Sequence, residues 1–157
     1  MDIYKAQYDL VKNAREVLFT FCESFSWEDY IASVPNFGQG SMRKTQAHIA
    51  DTYIHWIDRY ALQRTTSYLN HEAINSLKGV REEFKKIDQL VEDFLEQYRT
   101  QMIVPIQNTL GRHGLVVNTP LAVITHVITH EFHHKGQMVS MARILGHEPP
   151  DTDLIRL

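Results

Sequence analysis

The sequence predicts an all-α protein, a four-helix bundle, and three observations carry that reading. Four long segments place apolar residues at steps of three and four, the period of one helix face. Ser41, Ser76 and Thr119 stand just ahead of three of those segments, where a side-chain oxygen is needed to accept orphaned helix N–H groups. Strand-like composition is confined to one short stretch between the third and fourth segments.

In the first segment, "DIYKAQYDLVKNAREVLFTFCESF", the residues Ile3, Ala6, Leu10, Ala14, Val17, Leu18 and Phe21 form an apolar stripe along one long helix. Ser26, with Asp29 three residues on, opens a short extra turn in "SWEDYIAS". "VPNFGQGS" interrupts helix formation with Pro35, Gly38 and Gly40, and its "GQG" around Gln39 is a turn, too short for a phosphate loop. The second helix is expected from about Met42 to about Gln63, with Ala47, Ala50, Ile54, Ile57 and Ala61 on one side. Small residues in its first half allow a neighbouring helix to approach closely. Ser76 caps a third helix whose stripe is Leu77, Val80, Phe84, Ile87, Leu90, Val91, Phe94 and Leu95, ending near Thr100. Between helices 3 and 4, Ile103-Val104 and Val116-Val117 flank a turn containing Gly111 and Gly114, which reads as a small hairpin or irregular excursion. Thr119 and Pro120 start the fourth helix, Gly146 stops it after Leu145, and Pro149-Pro150 keep the tail non-helical.

The 157 residues suffice for one domain spanning 1–157, which can bury about two-thirds of its unfolded surface. A formal charge of −3 gives no electrostatic reason to expect nucleic acid, and Lys85-Lys86 sits among Glu82, Glu83 and Asp88 as a solvated face. No apolar run approaches a membrane span and the N-terminus does not read as a signal peptide, so a cytoplasmic protein is expected. Cys22, the single cysteine, excludes an intramolecular disulfide and reads as helix packing. Trp27, Tyr53, Trp56 and Tyr60 read as core or interface residues, with Trp56 also placed to line a cleft beside His55.

Chemistry concentrates in "THVITHEFHHKGQM", residues 125–138, which holds four of the nine histidines. A helix turns about 100° per residue, so His126, His130 and His134 form a ladder on one face with His133 beside it. Imidazoles at i and i+4 can share one ion; His130 with His134 is the natural pair, His126 with His130 competes, and this helix alone does not separate them. On the second helix His48, Asp51 and His55 share a stripe about 60° wide. His48 is the favoured third ligand over His55, with Asp51 as an outer carboxylate able to take a ligand's free N–H. Three histidines leave a fourth position open to water or substrate. "HEFHH" also fits the H-E-x-x-H protease template, but Glu131 lies about 100° off the direction of His130, and no third ligand of that class follows. His71, His113 and His147 lie in loops or at an element end and read as surface residues.

The segments "ITHVITHEFHHKGQMVSMARILGHEPPDTDL" and "GSMRKTQAHIADTYIHWI" resemble the last and second helices of the DinB/YfiT-like family of metal-binding four-helix bundles. That family pattern has a histidine early in helix 2 and H-x-x-x-H in helix 4, followed by Arg-Gly-Gln; His48, His130 and His134 match it. Lys135 stands where arginine is commoner, which keeps the charge and loses the planar fork. The resemblance implies a homodimer binding a divalent ion, nickel or zinc, through those three histidines. It also implies a small-molecule substrate and a low-molecular-weight thiol, as in thiol S-transferases. Two functions are therefore expected as alternatives: a metal-dependent enzyme of S-transferase or hydrolase type, and a non-catalytic metal-binding or stress-response protein. The catalytic residues are not assigned from sequence.

Overall fold

A computed structural model describes residues 2–111 and 114–156. His113, expected at the surface, lies outside the described residues. Four long helices dominate: α1 (Ile3–Cys22), α3 (Met42–Tyr53), α4 (Leu77–Gln97) and α5 (Pro120–Ile144), with a short α2 (Trp27–Ile31) after the first. Polar caps begin each of them. Asp2 accepts from Tyr4 N–H and Lys5 N–H, and Ser26, Ser41, Ser76 and Thr119 accept from the N–H three residues on. Gly146, at φ 89°, takes the left-handed conformation that stops α5. Among the described residues no helix is long and apolar enough to cross a membrane.

The second helix departs from a uniform α-helix. After Tyr53 the chain continues as a π-helical segment, Ile54–Ala61, in which Leu62 N–H bonds Ile57 O at 2.8 Å, five residues back. Wider winding turns each residue through less than 100°, so positions beyond Tyr53 drift off the stripe extrapolated from His48. Gln63, at φ 55°, ends the segment.

Two short strands, β1 (Ile106–Thr109) and β2 (Leu115–Asn118), pair antiparallel with Ile106 opposite Asn118 and Thr109 opposite Leu115. The hairpin is therefore present, but Ile103-Val104 precede it in a turn, because the strand begins only after Pro105. Tyr60 ties the hairpin to the π segment, its hydroxyl donating to Ile106 O at 2.9 Å.

Helix α1 faces the core differently from the aliphatic stripe. Ile3 is 70% exposed and Leu10 47%, whereas Tyr8, Val11, Arg15, Leu18 and Cys22 point inward. The cause is Arg15, 4% exposed, which donates from Nε and Nη2 to the two oxygens of Glu131 at 2.7 and 2.9 Å and from Nη1 to Asp88 at 2.6 Å. Tyr8 donates to Asp88 at 2.7 Å and Tyr53 to Glu131 Oε2 at 2.5 Å. These charge-assisted bonds satisfy groups that would otherwise be costly to bury, and they set the rotation of α1.

Candidate metal centre

Helices α3 and α5 pack against each other, with Ala47 and Ala50 buried on the α3 side, and this brings His48 to His130 and His134. One nitrogen of each ring lies within 4.8 Å of the others. Ring centroids are 4.9 Å apart for His48 and His130, 4.7 Å for His48 and His134, and 4.4 Å for His130 and His134. His134 is buried, while His48 and His130 are half-buried, so one side of the cluster meets solvent.

The donor set fits a divalent cation. His130 Nε2 and His134 Nε2 are 3.2 Å apart, close to the ~3.3 Å edge between two nitrogens held at 2.0–2.1 Å around one tetrahedral ion. Gln137 selects the required tautomer. Its Nε2 lies 3.0 Å from His133 Nε2, leaving its Oε1 to accept from His134 Nδ1–H at 2.8 Å. With that proton on Nδ1, the Nε2 lone pair of His134 is directed at the gap between the rings. Burial, then the neighbouring His134 and His48, push the His130 imidazole down to about 4. Burial also lowers His48, and lowers His134 against an opposing pull from Gln137. All three rings are therefore neutral at pH 7, the form in which an imidazole can ligate a metal. His130 Nδ1 is buried without a hydrogen-bond partner among the described residues.

The remaining sequence candidates lie elsewhere. Asp51, expected as an outer carboxylate, accepts from Leu69 N–H at 2.7 Å and so fixes the connection after the π segment; burial raises its pKa. His55 stacks on Tyr68 with Nδ1 2.7 Å from the hydroxyl, because the π winding carries it off the His48 stripe. Trp56 takes the neighbouring direction and sits edge-on to His126 at 5.1 Å, while His126 itself is exposed, 5.8 Å from the His130 ring. Trp56 and His126 thus border the cluster without joining it. Glu131 points away from the histidines into the Arg15 network, where both oxygens are engaged and 4% of the residue is exposed. It cannot act there as the base of a zinc protease.

His147 differs from its surface reading, and Lys135 and Gln137 take roles the sequence did not assign. His147 stacks on Phe25 at 3.8 Å and lies 3.1 Å from Asp29 Oδ2, so it pins the end of α5 to the corner after α1. Lys135, read from sequence only as a retained charge without arginine's planar fork, is buried, donates to Thr152 O and lies 4.1 Å from the Phe132 ring centroid, so it anchors the tail. Gln137 was visible in sequence only as part of the Lys-Gly-Gln run. Its i, i+3 spacing from His134 is the signal that could have marked it. Cys22 behaves as expected, fully buried, with burial pushing its thiol up to about 12.

A four-long-helix protein in which imidazoles from the second and last helices converge is a helical bundle able to hold a metal ion. The DinB family profile matches residues 4–157, and the chain belongs to the DinB family. It is similar to the uncharacterized protein YizA of Bacillus subtilis (strain 168), with 23% identity over 145 residues, covering 90% of this chain and 87% of that one.

Proposed function

We propose that the protein is a metal-dependent enzyme whose divalent ion, nickel or zinc, is held by His48, His130 and His134. The observation that carries the reading is the 3.2 Å approach of two neutral imidazole nitrogens with the third ring beside them and one side open to solvent. When bound, the ion supplies Lewis acidity, which favours the thiolate of a low-molecular-weight thiol or the acidification of water.

The chain's own residues then divide the work. The three rings supply neutral donors, and Gln137 keeps the proton of His134 on Nδ1. Trp56 packs edge-on against His126, whose ring lies 5.8 Å from His130, and we assign this pair to the border of the space a small electrophile would enter. In S-transfer the thiol sulfur bonds to the electrophilic carbon, the leaving group departs with its electron pair, and the thiol proton passes to solvent. No carboxylate base from Glu131 enters, since Arg15 and Tyr53 occupy it. Asp51 and His55 are engaged elsewhere, which favours an open position over a closed, purely structural site. We infer further that the working form is a homodimer acting on small molecules rather than on nucleic acid.

Elemental analysis and calorimetric titration with Ni²⁺ and Zn²⁺ test the site. Wild type is expected to bind one ion per chain and His48→Ala far less. Equal binding by the two would remove His48 from the assignment. Incubating loaded and metal-free protein with bacillithiol, glutathione or cysteine and a chromogenic electrophile tests the activity. Thiol consumption no faster in the loaded form with any pair, or with a hydrolysable ester as the water-dependent arm, leaves the non-catalytic metal-binding reading in its place.

A further inference from the structure

His48 and the His130–His134 pair sit on different helices, so their spacing depends on how α3 and α5 are rotated and slid against each other. Apolar packing supplies adhesion but little direction, and α3 and α5 pack closely, so a directional bond between them is what can fix their register. Among the described residues one side-chain hydrogen bond joins α3 directly to α5: Tyr53 donates to Glu131 Oε2 at 2.5 Å. Its acceptor directly follows His130 and stands three residues before His134; its donor stands five residues after His48. The bond is desolvated, with Tyr53 0% exposed, and its carboxylate is immobilised by Arg15 on both oxygens. Arg15 is held in turn by Asp88 and Tyr8, so the assembly touches all four long helices and converges one residue behind a ligand.

We propose that Tyr53 and Glu131 are positioning residues for the metal centre: a buried brace that sets the distance and rotation of the His48 helix relative to the His130–His134 helix. This rests on the reading that these three histidines hold an ion. Charged hydrogen bonds in a dry interior are short, strong and directional, which suits them to fix a register. A site must be held within about 0.5 Å to bind well. Neither residue belongs to the ligand set; Tyr53 acts through His48 on its own helix and Glu131 through His130 and His134.

The test compares two matched substitutions by competition titration of Zn²⁺ against a chromophoric chelator and by the visible absorption of the Co²⁺-loaded protein. Tyr53→Phe deletes the brace hydroxyl. Tyr8→Phe deletes an equally buried hydroxyl from the far end of the same network, without touching Glu131. With both variants folded by circular dichroism, Tyr53→Phe is expected to raise the Kd about tenfold, the low end for loss of a residue supporting a ligand, and to alter the Co²⁺ spectrum. Tyr8→Phe is expected to lower the Tm while leaving the Kd within about twofold of wild type. Tyr53→Phe binding as tightly as wild type, or Tyr8→Phe weakening binding equally, overturns the brace and leaves the metal site standing. Wild type binding no ion removes the site and the brace together.

Discussion

Replacing Arg15 by methionine tests the energetics of the buried network. Methionine keeps an unbranched stem of similar length, so the packing loss is small and the change is mainly electrostatic. Four hydrogen bonds disappear: to Glu131 at 2.7 and 2.9 Å, to Asp88 at 2.6 Å and to Tyr8 at 3.1 Å. Asp88 is half-buried and can rehydrate, but Glu131 is 4% exposed and keeps only the Tyr53 hydroxyl. One-sided removal of a buried pair costs about 3–5 kcal/mol, because the orphaned charge pays for desolvation without its partner. At about 3 °C per kcal/mol for a chain of this size, the Tm should fall by roughly 9–15 °C. Urea denaturation followed by circular dichroism measures the loss, and 1 M salt should not abolish it, because a pair this buried is poorly screened. The triple variant Arg15→Met, Glu131→Leu, Tyr53→Phe removes the orphaned buried carboxylate and its remaining partner, leaves only the rehydratable Asp88 with Tyr8, and should return to within about 1–2 kcal/mol of wild type. A single variant losing under about 1 kcal/mol, or a triple variant no better than the single, would refute the account.

The metal-free protein should lose stability as pH falls from 6.5 to about 4, because unfolded imidazoles protonate near 6.5 whereas folded His130 does so only near 4. The unfolded chain binds more protons throughout that window, and His130→Asn should flatten the dependence of the urea midpoint; an unchanged slope would contradict it. Iodoacetamide at pH 8 should modify native Cys22 on the order of a hundredfold more slowly than the denatured chain, since the thiol is fully buried and raised to about 12. Comparable rates would show the core opening there. Lys135→Met removes the bond to Thr152 O, so amide exchange across residues 151–156 should speed up at least about tenfold with metal content unchanged. Unaltered tail exchange would mean that the anchor lies elsewhere.

Much of the site was legible because it is written in local spacing. His130 and His134 are four apart on a helix whose start and stop, Thr119-Pro120 and Gly146, are backbone signals independent of tertiary context. His48 was reachable because it shares a helix stripe with Asp51 and His55 and matches the early second-helix histidine of the family it resembles. What stayed hidden depends on partners far away in the chain. Arg15 and Tyr8 face inward because they meet Glu131 and Asp88 across 116 and 80 residues, and a pattern of apolar residues counts them as surface. Asp51 was assigned to the histidines by helix phase, but its oxygen is claimed by Leu69 N–H from a connection whose path no periodicity encodes. The π segment has no proline or glycine to announce it, since it arises from a shift of backbone bonding rather than from a residue type.

That loosely wound stretch decides which rings surround the histidine cluster. At Ile54–Ala61 the backbone stores slack, and the slack decides whether an indole or an imidazole lies beside His126. Shortening the stretch by a single residue would tighten it to ordinary pitch and advance the chain beyond it in angle, bringing His55 round toward the place Trp56 now occupies. The ring beside His126 would then be an imidazole in place of an indole, so the make-up of the border next to the His48–His130–His134 cluster is set by one residue of chain length.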